Sequence, residues 1–230
     1  MQQIKAHILR IDDPISHEYA KICSDSCDKV GLIWQYFDGY HKMDGRMAFG
    51  KTGIKNLPTS DYRYMENVSP ADKAMCCTAG HFSIWKNIAE GIEDVGVVLE
   101  HDALMLQPLT ISIPDNKIVV LGYKVKDPTS YDWVKAGPPK EIIDIAGHEG
   151  AHAYAITKST ARFLVKEIEK RSIYSAVDND YFILGQRRTA VPLAIASPTP
   201  AIGWLRKSTI WSESAAVNCN FITSFSHNYK

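Results

Sequence analysis

Residues 95–102, VGVVLEHD, constrain the fold more than any other stretch of the chain. Val95, Val97, Val98 and Leu99 place apolar side chains on both faces of a strand, so both faces have to be covered. The run is short and β-branched, which suits a strand better than a helix. Such a strand belongs inside a mixed or parallel sheet with helices packed against it.

The rest of the chain supplies partners for it. Residues 4–11 (IKAHILRI), 32–39 (LIWQYFDG, closed by Asp38-Gly39), 117–123 (KIVVLGY) and 151–157 (AHAYAIT) read as further strands. Pro14 opens a helix over 14–29, since proline suits the first helical position. A long helix starts at Ser69-Pro70 and runs to about Gly91, with Ala74, Cys77, His81, Ile84, Trp85, Ile88 and Ile92 on one face. Another spans about 158–171, with Ala161, Leu164, Val165 and Ile168 facing inward. Residues 41–69 and 127–139 carry the Gly, Pro, Asp and Asn of loops, and the tail from 190 holds only short extended pieces. No repeat or low-complexity block interrupts the pattern. Strands alternating with helices predict one α/β domain over residues 1–230, with the site at the loops following the strand C-termini.

Charge and cysteine usage narrow the class. Lys+Arg and Asp+Glu both number 26 among 230 residues, so the basic excess of a nucleic-acid partner is missing. Short basic stretches such as Arg187-Arg188 read as a solvated face. Cys23, Cys27, Cys76, Cys77 and Cys219 are odd in number and two are adjacent, which does not resemble a disulfide framework. They read as reduced thiols. The N-terminal residues lack the apolar core of a signal peptide, and no apolar run approaches the ~20 residues of a membrane span. A cytoplasmic protein is expected, with peripheral membrane contact left open.

Two motifs compete for the chemistry. Residues 147–152, GHEGAH, contain the H-E-x-x-H pattern of zinc peptidases in His148, Glu149 and His152. That pattern works on a helix, where i and i+4 share a face. Gly147 and Gly150 weaken a helix, each interior glycine costing ~1 kcal/mol relative to Ala. The residues that follow suit a strand, so His148 reads as a loop residue and His152 as a satisfied strand residue. A third ligand would have to come from Glu167 or Glu169, which lie on a polar helix face.

The second motif is Glu100 and Asp102, spaced i, i+2 at the end of the buried strand. There both carboxylates leave the apolar layer and can face a hard cation such as Mn²⁺ or Mg²⁺. A cation in that place can hold a diphosphate and neutralise a departing nucleoside diphosphate. The bland alternative is a solvated strand end.

In order along the chain, CCTAGHFSIWKNIAE (76–90), VVLEHDA (97–103) and GHEGAHAYAITKSTARFLV (147–165) resemble glycosyltransferase family 25. Its members include bacterial lipooligosaccharide sugar transferases and collagen galactosyltransferases. The family's Gly-Cys-x-x-Ser-His segment is matched by Gly80-His81 with Trp85. Its Leu-Glu-Asp-Asp-Ala strand end is matched by residues 99–103, and its Ala-Tyr segment by Ala153-Tyr154. Asp178 and Asp180 in AVDNDYF resemble its later acidic segment, and Asp38-Gly39 the end of its second strand. Ser208-Thr209 resembles a C-terminal element. His101 replaces the middle acid of the triplet, HEGAH replaces a Gly-Thr segment, and ILRIDD only loosely matches an Asn-Leu-x-Arg element through Arg10.

The resemblance implies a GT-A-like three-layer α/β/α sandwich with a mixed, mostly parallel sheet. The implied reaction is metal-dependent, inverting transfer of a sugar from a nucleotide sugar, a UDP-sugar in the first instance, to a hydroxyl of a glycan or other acceptor. Glu100 and Asp102 would hold the metal with the donor diphosphate, and His152 could approach as a third ligand. Arg10 and Asp38 would contact the nucleotide. Asp178 would be the base and Asp180 an acceptor contact, the alternative being that one of them caps the turn after it. Tyr131 and Trp133 could stack on an acceptor sugar or pack under their loop. His81 and Trp85 read as core. The rival class is a non-catalytic nucleotide-sugar or glycan-binding domain, with a zinc peptidase third.

Overall fold

Residues 6–9 of β1 (Ile4–Arg10) are all buried, so this one strand serves two cores. Ala6 and Ile8 point to one side of the sheet, His7 and Leu9 to the other. The computed structural model describes residues 3–55, 71–105, 107–121, 124–126, 131–133, 140–142, 151–171, 177, 188–190 and 194–196. His148, Glu149, Asp178, Asp180, Ser208 and Thr209 lie outside them.

Helix α1 (Pro14–Lys29) follows β1. Asp13 caps it by accepting from the backbone N–H of Ile15 at 2.9 Å, and Pro14 fills the position that needs no donor. The chain leaves α1 through Gly31, whose φ of +70° glycine adopts without strain, and enters β2 (Trp34–Asp38). Helix α2 (Gly45–Lys51), capped by Asp44, occupies part of the stretch expected to be loop. Its single turn-rich window hides a helix whose support is tertiary, with Ala48 and Phe49 fully buried.

Helix α3 (Ala71–Glu90) leads to β3 (Val95–Glu100) and the short β4 (Ala103–Met105). The expected face of α3 packs as read for Ile84, Trp85 and Ile88, whereas Ile92 lies past the helix end and is 79 % exposed. Next come β5 (Ile118–Val120), β6 (Lys124–Lys126), β7 (Tyr131–Trp133) and β8 (Lys140–Ile142). The 6–7 pairing is antiparallel, so Tyr131 and Trp133 belong to a strand rather than to a loop. Strand β9 (Ala153–Thr157), helix α4 (Lys158–Arg171), β10 (Arg188–Ala190) and β11 (Ala194–Ala196) complete the described elements.

The main sheet has seven strands in the order β2-β1-β3-β9-β5-β10-β8. Five of them, all but β9 and β8, run in one direction. The sheet is therefore mixed and mostly parallel, as expected. Helix α1 covers one face through Ala20, Cys23 and Cys27, which meet Ile8, Val97, Leu99 and Ala155. Helices α2, α3 and α4 cover the other through Phe49, Trp85, Ile88, Leu164 and Ile168, which meet Leu9, Val98, Tyr154 and Ile156. This is a three-layer α/β/α arrangement. Its central strand β3 has Val95 through Leu99 buried, which is why its sequence is apolar at both parities.

Candidate functional site

In parallel strands all C-termini reach one edge of the sheet. The register places Arg10 beside Asp38 and Leu9 beside Glu100, so β1, β2 and β3 deliver Arg10, Asp38 and Glu100 to the same edge. That edge is where open α/β sheets collect their ligands. Arg10 Nε donates to Asp38 Oδ1 at 2.6 Å, and its guanidinium lies 4.1 Å from the centre of the Tyr36 ring. The Arg10 side chain is largely covered while Asp38 is exposed. The backbone N–H of Gly39 donates to the Arg10 carbonyl at 2.7 Å, which ties the two strand ends together.

Glu100, the last residue of β3, has the parity of Val98 and so faces α3. Its Oε1 lies 3.1 Å from His81 Nε2 and 3.8 Å from Cys77 Sγ. His81 is fully buried, and its Nδ1 is 2.9 Å from the Tyr154 hydroxyl, which also accepts from Trp85 Nε1 at 2.7 Å. Indole is a donor only. With a neutral imidazole the chain of hydrogen bonds runs from Trp85 to Tyr154, from Tyr154 to His81 Nδ1, and from His81 Nε2 to Glu100. His81 thus is the hydrogen-bonded core histidine expected from its place on α3, and it also grips the strand-end carboxylate. Burial pushes the Glu100 carboxyl up, but the His81 hydrogen bond and the charges of His81, His101 and His152 outweigh it. The net direction is below the ordinary carboxylate value.

Asp102 lies in the turn between β3 and β4. It lies within electrostatic reach of Cys23 on α1 and of His152. The two acids do not simply leave the apolar layer side by side, because Glu100 is drawn onto α3. His101, between them, stacks on Tyr19 with ring centres 6.3 Å apart.

His152 occupies a bend immediately before β9, not a helix, and its carbonyl accepts from the Glu100 N–H at 2.8 Å. Its imidazole is buried, and Nε2 has no hydrogen-bond partner among the described residues, so it is not the satisfied strand histidine expected. Burial lowers its pKa against the raising effect of Asp102 and Glu100. At His152 the chain bends and then enters a strand, whereas H-E-x-x-H requires both of its histidines on one helix.

Among the described residues, one group of three offers ligand atoms within 4.8 Å of one another: Cys77, His81 and Glu100. Sequence reasoning placed Cys77 and His81 on one helical face but read them only as thiol and core. The i, i+4 spacing of two ligating side chains was the signal available.

No family model matches the chain, and no curated protein sequence matches it. Solved structures do. A glycosyltransferase involved in glycosylation of the major capsid of PBCV-1 aligns at 10 % identity over 83 % of this chain and 81 % of its own, with a TM-score of 0.41. The galactosyltransferase LgtC, in complex with donor and acceptor sugar analogues, aligns at 10 % identity over 96 % of this chain and 95 % of its own, TM-score 0.41. The apo-form glycosyltransferase GlyE of Streptococcus pneumoniae TIGR4 aligns at 9 % identity over all of this chain, which spans 63 % of GlyE, TM-score 0.46. No helix among the described residues is long and apolar enough to cross a membrane.

Proposed function

We propose that the chain is a GT-A-type glycosyltransferase, similar to family 25, that moves a sugar from a nucleotide sugar to a hydroxyl of a glycan acceptor with inversion. A UDP-sugar is the first donor to test. One observation carries this reading: three adjacent parallel strands bring Arg10, Asp38 and Glu100 to one C-terminal edge, with Asp102 in the turn just beyond. A cation and an anionic diphosphate call for that mixture of a guanidinium and carboxylates. The edge position agrees with the order of motifs along the sequence.

Glu100, Asp102 and His152 supply the carboxylate and imidazole ligand types that a divalent cation accepts, although their atoms are not gathered as closely as those of Cys77, His81 and Glu100. His152 contributes a buried nitrogen with no hydrogen-bond partner among the described residues, on which Glu100 and Asp102 both act by charge. Glu100, Asp102 and His152 would hold Mn²⁺ or Mg²⁺ with the donor diphosphate, and such an ion stabilises charge on a leaving diphosphate. Arg10, held by Asp38 and Tyr36, would meet nucleotide phosphate or base. Asp178 takes the proton of the acceptor hydroxyl on the face opposite the leaving group, and Asp180 binds acceptor hydroxyls.

A non-catalytic nucleotide-sugar-binding domain is the second reading. It is favoured by His101 in the acidic turn and by the engagement of Glu100 Oε1 with His81. A panel of UDP-sugars assayed for UDP release, with EDTA and Asp102→Asn as controls, separates the two. Transfer predicts release that collapses in both controls while the variant stays folded. Donor binding without release would establish the second reading, and release untouched by EDTA and by Asp102→Asn would remove the metal from the mechanism.

A further inference from the structure

Cys77 and His81 stand four residues apart on α3, so the helix backbone alone fixes both side chains on one face. Glu100 meets them from the end of β3. We propose that these three side chains form a site for a borderline divalent transition metal of the Zn²⁺ class, distinct in chemistry from a hard cation on Glu100 and Asp102.

The spacing is the first argument. A tetrahedral zinc with bonds of roughly 2.0–2.3 Å to N, O and S sets its ligand atoms roughly 3.3–3.6 Å apart. Here His81 Nε2 and Cys77 Sγ lie 3.1 and 3.8 Å from Glu100 Oε1, and all three atoms fall within 4.8 Å of one another. Little movement separates this arrangement from a ligand shell.

The ligand types are the second. A thiolate with an imidazole selects Zn²⁺ or its neighbours over Mg²⁺ and Ca²⁺, which prefer oxygen. The outer shell is the third. Metal-bound histidine holds its other nitrogen in a hydrogen bond that sets the tautomer. His81 Nδ1 has the Tyr154 oxygen at 2.9 Å, and Tyr154 is itself pinned by Trp85. On metal binding His81 carries its proton on Nδ1 and donates it to Tyr154, while Nε2 turns to the ion. Cys77 releases its thiol proton to solvent, so affinity rises with pH. Access is the fourth: His81 is closed off, but Cys77 is only partly buried and the Glu100 side chain is 25 % exposed, which leaves room for a fourth ligand such as water.

The site needs neither nucleotide nor sugar, so it stands or falls apart from the transferase reading although Glu100 serves both. The test is titration of the full chain with Co²⁺ alone, followed in the near ultraviolet for the thiolate-to-cobalt charge-transfer band. One equivalent of Co²⁺ should produce the band, and Zn²⁺ should abolish it by competition. Cys77→Ser should remove the band and weaken Zn²⁺ binding by more than the ~10–100-fold that loss of an outer-shell partner costs. Cys76→Ser, whose thiol is directed at the Met43 carbonyl, and Asp102→Asn should both keep the band. No binding, binding without the band, or a band that survives Cys77→Ser overturns the proposal. A measurement on the unaltered protein covers any folding defect: Zn²⁺ should protect Cys77 from iodoacetamide in peptide mapping, and unchanged alkylation of Cys77 also overturns it.

Discussion

At Glu100, three histidines and a helix act on one carboxylate. His81 holds it by a hydrogen bond, His101 and His152 lower its pKa by charge, and the thiol of Cys77 lies against the same oxygen. A carboxylate so engaged is poor as a base, because its proton affinity has been reduced in favour of cations. The base of the proposed transfer therefore belongs elsewhere, and Asp178 is the candidate. Asp178→Asn is expected to melt like the unaltered protein and to bind UDP normally, yet to lose transfer by at least ~10²-fold. The competing role, capping the turn that follows, predicts the opposite pattern: stability reduced by ~1 kcal/mol with activity retained in the folded fraction. Thermal melting, UDP affinity and initial rate measured on the one variant decide between them.

At the scale of elements, the site depends on how closely α3 approaches β3. Gly96 permits that approach. A Cβ built there would run into Cδ1 and Cγ1 of Ile88, which is fully buried in the layer between helix and sheet. Gly96→Ala should force α3 outward and destabilise the fold by about 1–3 kcal/mol, the usual range for overpacking a core. Adding Ile88→Val, which removes Cδ1, should restore part of the loss. Urea denaturation of the two single variants and the double variant measures the coupling. Strictly additive losses would mean that the contact between these side chains is not what limits the helix position. Because Cys77 and His81 ride on α3, the same variant should also change the affinity of the proposed metal site.

At the scale of the whole molecule, acid acts through buried histidines. His7 is buried in β1, its Nε2 2.9 Å from Glu93 and its Nδ1 accepting from Gln35 Nε2 at 2.9 Å. Burial lowers its pKa below the ordinary 6.5, more than the hydrogen bond and charge of Glu93 raise it. Between the lowered folded value and the unfolded 6.5, the unfolded chain binds more protons. The contribution is complete above about 6.5 and is lost as pH falls through that window. His152, also lowered, acts with the same sign. Calorimetric melting points should therefore fall from about pH 7.5 to about pH 5.5, and His7→Gln should flatten the slope. An unchanged slope in His7→Gln would assign the acid sensitivity to other groups.

The apolar run at 95–99, the cap at Asp13-Pro14 and the 3.6 periodicity of α3 and α4 are local properties. Each tells a segment what to become, and the sequence alone determined the α/β class, five of the main sheet's strands and three of the helices. Helix α2 was not legible because its stability comes from burying Phe49 under α3, not from its own residues. Nor was the strand at 131–133, since three residues pair only where a partner strand is already placed. The same distinction governs the candidate site. Acids at i, i+2 after a buried strand are visible in one dimension, as is a cysteine four residues before a histidine. That Glu100 turns toward α3, and that the antiparallel strand β9 brings His152 beside Glu100, depends on strand order. Strand order follows from how layers pack, and no local stretch of sequence contains it.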